Sequence, residues 1–541
     1  MKYMKKIVII LIASLSVQGL IAQTLEDVKK AIFQEDFKKA KSMLQTLMSS
    51  GKKPEYHYYM GLVHLEEALD YEDDAISKEK ELENAKKQFE AGIALKNKYP
   101  YNFLGLGRYY ALKKNLAEAK INFQKAYELS GGSDLELIVE LAEGYVEGGS
   151  KEFIEEATKL LTKAKTMDSK NANIYTALGD LWEKQNVYEL ALTEYKNAVN
   201  ANPNLVKAHY KIGKLLLKEK KYNEGAEYFR KCIQLDPNFA PAYREMGELY
   251  FRAGRYKEAK DNYKSYVQKT AGDLQAQVRY CQFLYLSKEY QEAVNQINSV
   301  LKDTTTNVLL RLLGYSYVEL KNYSEALNAL DKYFARVKPE NQIAKDYEYY
   351  AKALDNTQKD SLAVLYYEKA MQMDPNLNYY SAIGECWSEI KSWEKAVTAY
   401  EKAISINPNP KDYYMLARAY QNLQNYDKAE EYYKKVIELK ADFLPAYLQL
   451  AYIAGKKDPE TKLYLAKPYY EKIIELTENE QEKYKKERAR GFAYLAFYYY
   501  DTKDNPKAYK YAEKALQLDP NDKNSAQILD YLKKIGVKPE N

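Results

Sequence analysis

One set of residues recurs in this chain at a fixed spacing. Leu178-Gly179, Ala191, Tyr195, Ala198 and Pro203 return 34 residues later as Ile212-Gly213, Gly225, Phe229, Cys232 and Pro237, and then as Met246-Gly247, Ala259, Tyr263 and Tyr266. A period of this length means that one small unit is stacked many times, each copy resting on its neighbours. Length alone would suggest roughly three or four globular domains. The repeat overrides that expectation.

The unit has a direct physical reading. Leu178, Leu181 and Trp182 follow helical spacing, and so do Ala191, Leu192, Tyr195, Ala198 and Val199, which gives two amphipathic helices. The polar stretch Glu183 to Tyr188 is too short for anything but an antiparallel hairpin. Small residues, Gly179, Ala191 and Ala198, are expected where the two backbones approach closely. Each unit then ends on a proline turn, as in Asn202-Pro203-Asn204, Asp236-Pro237-Asn238, Asp374-Pro375-Asn376, Asn407-Pro408-Asn409 and Asp519-Pro520-Asn521. Proline stops the helix and Asp or Asn favours the reversal.

These residues resemble the tetratricopeptide repeat family. Tyr380, Ile383-Gly384, Trp387, Ala396, Tyr400, Ala403 and Pro408 meet its aromatic, leucine-glycine, tyrosine, alanine, aromatic, alanine, proline series almost completely. The resemblance implies an all-α, right-handed solenoid of roughly 13–14 helical hairpins between Gln23 and Asn521. Residues 65–84, with Asp70, Glu72, Asp73 and Asp74, read as an acidic insertion of about twelve residues within an N-terminal repeat. The link from Ala451 to Ala466 is also long. Residues 522–541 read as a capping helix and tail, with Ile528, Leu529 and Leu532 on one face.

Residues 1–22 carry the order of a secretory signal peptide: Lys2, Lys5 and Lys6, the apolar run Ile7 to Leu15, then small or short residues up to Ala22-Gln23. Export across a bacterial inner membrane is the expectation, with a periplasmic or secreted product and cleavage after Ala22 or Gly19. No later stretch has the apolar length of a membrane span. The formal charge of +5 falls further once the leader lysines go, so the basic footprint of a nucleic-acid binder is missing. The run Lys483, Lys485, Lys486, Arg488 and Arg490, interleaved with Glu482 and Glu487, reads as a solvated helix face.

Nothing nominates catalysis, a metal or a cofactor. Cys232, Cys281 and Cys386 fall in slots the repeat fills with small or apolar residues, so each reads as a core residue. His57 and His64 stand two helical turns apart, too far to share one ion, and His209 takes an aromatic slot. No zinc spacing, phosphate loop or nucleophile elbow occurs. The chain reads as a non-enzyme.

Tyrosine is the abundant component, at 56 residues, most of them in core slots such as Tyr195, Tyr263 and Tyr400. By resemblance, the groove is lined by first helices at positions three before, one after and four after the first-helix glycine. In the middle of the chain this stripe carries Tyr210, Lys214, Arg244, Phe251, Tyr285, Arg311 and Tyr315; near the C-terminus it carries Tyr414, Arg418, Tyr452, Phe497 and Tyr500. Aromatic and arginine side chains are favoured anchors, and a peptide with apolar and acidic side chains would suit either stretch. The pairs Thr176/Asp180, Tyr210/Lys214 and Arg244/Glu248 do not reproduce the lysine and asparagine constellation that grips chaperone C-termini in this family.

The function expected is a non-enzymatic scaffold of the cell envelope that binds peptide or protein segments in its groove. The alternative is a carbohydrate or peptidoglycan binder that stacks sugars on Tyr414, Tyr452, Phe497 and Tyr500. A module serving a transferase or kinase fits less well, because the repeats consume the mature chain.

Overall fold

The computed structural model describes residues 24–70, 75–270, 273–302 and 304–538. The leader expected at 1–22 lies outside the described residues, as do Glu72, Asp73 and Asp74 of the acidic stretch. The chain divides into two compact units, with the boundary between Leu312 and Leu313. Among the described residues the secondary structure is helical, with no strand.

The first unit is a run of eight antiparallel hairpins. Hairpin 1 pairs α1 (Leu25–Phe33) with α2 (Phe37–Ser50), hairpin 2 pairs α3 (Pro54–Asp70) with α4 (Ala75–Leu95), and hairpin 3 pairs α5 (Pro100–Leu112) with α6 (Leu116–Leu129). Hairpin 4 is α7 (Leu135–Gly148) with α8 (Lys151–Met167), hairpin 5 is α9 (Ala172–Lys184) with α10 (Tyr188–Ala201), and hairpin 6 is α11 (Val206–Lys218) with α12 (Tyr222–Leu235). Hairpin 7, α13 (Ala240–Arg252) with α14 (Tyr256–Lys269), and hairpin 8, α15 (Leu274–Leu286) with α16 (Tyr290–Val300), complete it.

The unit boundary falls inside α17 (Asn307–Glu319), which pairs with α18 (Tyr323–Arg336) as hairpin 9. Hairpin 10 is α19 (Ala344–Asp355) with α20 (Asp360–Met373), hairpin 11 is α21 (Tyr380–Glu389) with α22 (Trp393–Ile406), and hairpin 12 is α23 (Pro410–Asn422) with α24 (Tyr426–Leu439). Hairpin 13 pairs α25 (Leu444–Lys457) with the short α26 (Lys467–Leu476), and hairpin 14 pairs α27 (Lys485–Asp501) with α28 (Asn505–Leu518). The last helix, α29 (Lys523–Lys534), buries Ile528, Leu529 and Leu532 and caps the stack.

Packing inside a hairpin follows one rule, and it refines the expected close approach of backbones. Where the first helix carries the repeat glycine, it faces the side chain 16 residues later, an aromatic ring except at Gly314, which meets Leu330, so what it makes room for is a side chain. A Cβ placed on Gly179 would lie 2.3 Å from the Tyr195 ring, on Gly107 2.3 Å from Phe123, and on Gly213 2.6 Å from Phe229. The same pairing survives in hairpin 2 between Gly61 and Phe89, although 28 residues separate them. The additional residues lengthen α3 and α4 and leave the contact intact.

The turns follow from side-chain chemistry. At the proline turns, the helix-ending Asp or Asn accepts the amide two residues on: Asn202 from Asn204 (3.0 Å), Asp236 from Asn238 (2.9 Å) and Asp374 from Asn376 (3.0 Å). This is the Asx turn that Asp and Asn favour, and the intervening proline has no amide to satisfy. Within most described hairpins, the residue before the N-cap of the second helix is left-handed. It is Glu35, Lys114, Gly149, Asn186, Lys220, Gly254 and Lys288 in the first unit, and Lys321, Gln358, Lys391, Gln424 and Lys503 in the second. Only Glu35 in this series is acidic.

The long link expected between Ala451 and Ala466 is an ordered loop. The buried Asp458 carboxylate accepts the amides of Lys462 (2.8 Å) and Leu463 (2.9 Å) and so folds it back on itself.

Candidate functional site

First helices of the first unit face a shared cavity of about 820 Å³. Its walls come from α1, α3, α5, α7, α11 and the starts of α9 and α13, so hairpins 1 to 7 surround it. The register of the lining residues explains why. Tyr58, Val139 and Tyr210 stand three before the central small residue of their helices, Leu62, Arg108 and Glu143 one after it, and Tyr59, Glu140 and Lys211 two before it.

Charges inside the cavity neutralise one another. Arg108 donates to Glu147 (2.6 and 3.0 Å) and to Glu66 (3.3 Å), Lys207 to Glu143 (2.7 Å), and Lys211 lies 2.7 Å from Asp180. Burial works against the charge of Arg108, but Glu147 and Glu66 outweigh it and hold the guanidinium above its ordinary range. Glu140 has no such cation at hydrogen-bond distance. It accepts the Tyr58 hydroxyl (2.5 Å), and burial pushes its carboxyl up to about 7 despite that bond.

Hairpin 1 closes this ring against hairpins 6 and 7. The Phe33 ring stacks on Phe239 with centroids 4.8 Å apart, and Gln34 Nε2 donates to Asp236 (2.7 Å). Arg244 donates twice to Glu35, at 2.6 and 3.1 Å, the bidentate geometry that suits a carboxylate. Tyr266 donates to the same carboxylate at 3.4 Å, and the Tyr210 hydroxyl accepts from Arg244 at 3.4 Å while donating to Glu245 at 3.1 Å.

Residues of the expected stripe therefore have different fates. Tyr210 and Arg244 gather at the closure, and Lys214 lies beside them, 3.6 Å from Glu245. Phe251 and Tyr285, four after the central residue, pack between helices: Phe251 lies against Phe283 under the Arg279 guanidinium, and Tyr285 against Tyr290. Arg311 lies near the start of α17, within the first unit.

In the second unit Tyr315 is buried, stacked on Tyr349 and donating to Asp346 (2.7 Å). Tyr414 is half-buried against Tyr433 and Phe443, and Tyr500 meets Tyr531 of the capping helix edge-on. Arg418, Tyr452 and Phe497 are exposed, the last two at 47% and 38%. All three stand one residue after the central alanine of α23, α25 and α27, so three successive hairpins present Arg, Tyr and Phe at one register.

Comparison with known proteins identifies the repeat. Models described as tetratricopeptide repeat match residues 378–410, 413–443 and 216–277, and one described as TPR repeat matches 183–220. A model described as anaphase-promoting complex, cyclosome, subunit 3 matches residues 253–333. The C-terminal part of a TPR repeat-containing protein from Cytophaga hutchinsonii is 34% identical; the match covers 47% of this chain and 99% of that one, with a TM-score of 0.41. The chain belongs to the tetratricopeptide repeat family. YrrB, described as a TPR protein with an unusual peptide-binding site, is 21% identical over 39% of this chain and 97% of its own, with a TM-score of 0.30. A tetratricopeptide repeat protein from Parabacteroides merdae is 17% identical over 47% and 97%, with a TM-score of 0.29. No curated protein matches the chain. Tetratricopeptide repeats mediate protein or peptide binding, and this chain is a scaffold of that kind.

Several side chains of the tetratricopeptide array depart from a repeat-by-repeat reading. Lys207, Lys211 and Glu140 line the cavity from registers outside the expected stripe, and Glu35 comes from a turn. Arg488, expected on a solvated face, is 3% exposed; it donates to the Ile474 carbonyl (2.9 Å), Thr477 Oγ1 (3.1 Å) and Glu478 (2.7 Å), tying α27 to the end of α26. All three cysteines are buried and free, and burial pushes the Cys232 and Cys281 thiols up to about 12.

Among the described residues, two groups have ligand atoms close enough to share an ion: His64 with Glu67 and Glu81, and Asp355 with Asp360 and Cys386. In the first, Lys41 bonds Glu67 and stands 3.8 Å from Glu81, which places an ammonium where a metal would sit. In the second, burial and then the neighbouring Asp355 push the Cys386 thiol well above its usual range. No helix among the described residues is long and apolar enough to cross a membrane.

Proposed function

We propose that this tetratricopeptide chain is a non-enzymatic scaffold of the bacterial cell envelope, exported by its N-terminal leader, which holds protein segments along the first helices of hairpins 12 to 14. The observation that carries the reading is the row Arg418, Tyr452 and Phe497, exposed at one register on three successive hairpins. Aromatic side chains left partly exposed cost solvation, and aromatic and arginine groups together are what interface hot spots favour. Tyr414, one turn before Arg418 on the same helix, packs its ring 5.5 Å from that of Tyr433.

Affinity capture from envelope extract with the purified mature chain tests the reading. The wild-type chain is expected to recover a defined set of proteins, and the combined variant R418A/Y452A/F497A to lose them. Recovery of nothing by the wild-type chain, or the same set by both, rules it out. The address is checked separately by fractionating cells and sequencing the mature N-terminus, expected at Gln23 or Leu20.

A further inference from the structure

We infer that hairpins 6 and 7 form a specific site for a peptide segment bearing an aromatic residue followed two positions later by an acidic one, and that the chain's own Phe33-Gln34-Glu35 holds this site shut. The inference rests on the interaction reading above and adds the ligand pattern and the means of control.

Three features of the closure carry it. First, its contacts are those of a bound peptide: an aromatic ring stacked on Phe239, an amide on Asp236, and a carboxylate gripped bidentately by Arg244 with Tyr266 alongside. Second, the acid is out of pattern. In the other described hairpins with this left-handed turn the residue is Lys, Asn, Gln or Gly, and the Glu stands where it meets an arginine. A lysine there would face Arg244 and repel it, so the closing turn carries a charge its siblings lack. Third, the closure stands in front of the cavity, whose wall includes Phe33, Glu35, Tyr210 and Phe239 themselves.

The occupant that fits the same groups is therefore a segment of the form aromatic-x-acidic. It competes with a tethered copy of itself, whose effective concentration is high because hairpin 1 is held in place by its own core of Val28, Ala31, Leu44 and Val63 against hairpin 2.

The probe is an acetylated synthetic peptide copying Val28–Ala40, labelled for fluorescence anisotropy and titrated into the full mature chain. The latch-opened variant F33A/E35A is expected to bind it at least about tenfold more tightly than the wild-type chain does. Adding R244A to the opened variant, or replacing Glu35 in the peptide with alanine, removes that gain. A charge-exchanged pair guards against misfolding: the opened chain carrying R244E binds the peptide with Glu35 replaced by lysine and refuses the original. Failure of the opened variant to bind at millimolar peptide, or equal binding by all forms, overturns the inference. So does a wild-type dimer that falls apart on E35A, because hairpin 1 then closes a second copy. The R418A/Y452A/F497A variant is expected to bind the peptide normally, so loss of the extract partners and loss of the peptide are separate outcomes.

Discussion

Where a first helix carries the repeat glycine, that glycine leaves space for one side chain of the second helix, a ring in each case except Gly314, which faces Leu330. Gly179 is the clearest case, since a methyl group there would lie 2.3 Å from two carbons of Tyr195, whose hydroxyl is anchored on Asp180 (2.6 Å) and Glu183 (2.7 Å). The ring cannot retreat without losing those bonds. Gly179→Ala is therefore expected to lower stability by about 1–3 kcal/mol despite the better helix propensity of alanine, as a shift in urea midpoint would show. A second residue-scale expectation concerns Glu140. Its carboxyl is raised by burial to about 7 in the folded chain, so the folded state holds a proton that the unfolded chain releases near 4.5. The stabilising proton is fully present at low pH, and its contribution is lost as pH rises from the unfolded value to about 7, so the ionised group opposes folding above that. Glu140→Gln should raise the unfolding midpoint at pH 8 and leave it nearly unchanged at pH 4, in thermal melts run side by side. The Gly179 contact could be anticipated from the repeat, because both partners belong to the pattern. Glu140 could not, since burial of that face depends on hairpins 1 and 6, which are remote in sequence.

At the scale of single elements, helix starts are where polar side chains concentrate their structural work. Asp346, three residues into α19, is fully buried and accepts the hydroxyls of Tyr315 (2.7 Å) and Tyr333 (2.8 Å) together with the Ile343 amide (2.8 Å). One carboxylate thus joins α17, α18 and α19. Asp346→Ala removes the acceptor shared by three donors, each worth about 1–3 kcal/mol when buried, and is expected to cost about 3 kcal/mol or more. Trp387 and Trp393 report the second unit once Trp182 is replaced by Phe, and their fluorescence transition in urea should move to lower concentration in that background. Helix limits and turns were legible because proline, Asp and Asn mark them with local chemistry. Arg488 was not, because its run of neighbouring charges looks solvated until the Ile474 carbonyl and Thr477 are seen to be supplied by the preceding helix. Tyr315 misled for a related reason: its register matched the groove stripe, yet a stacking partner on α19 takes it into the core.

For a whole array of repeats, the simplest energetics is a sum over neighbours, in which a change in hairpin 1 cannot be felt in hairpin 7. The ring in the first unit breaks that rule: Tyr58 reaches Glu140 past hairpin 3, Lys207 reaches Glu143 past hairpin 5, and the longest step joins hairpins 1 and 7. Glu35 and Arg244 are 209 positions apart in sequence, five hairpins intervene, and the two side chains nevertheless meet at 2.6 and 3.1 Å. The stacking of hairpins was written in the period, but the point at which they return on themselves depends on small rotations summed over six interfaces, which no single repeat encodes. What the sequence did carry was an acid in a turn slot that the other described left-handed turns of this kind fill with Lys, Gln, Asn or Gly. This makes closure measurable as an energy. In a linear array the destabilisations caused by E35A and R244A would add within about 0.5 kcal/mol, the tolerance usual for residues that share no partner. Across a closed ring each single change already removes the pair, so the double variant E35A/R244A should cost less than the two singles together, by roughly 0.5–3 kcal/mol. Trp182, in hairpin 5 between the two ends, reports the transition when Trp387 and Trp393 are replaced by Phe. Additive midpoint shifts would mean that hairpins 1 and 7 unfold without reference to each other; a coupled cycle means that hairpins 1 to 7 behave as a loop held by its own turn residue.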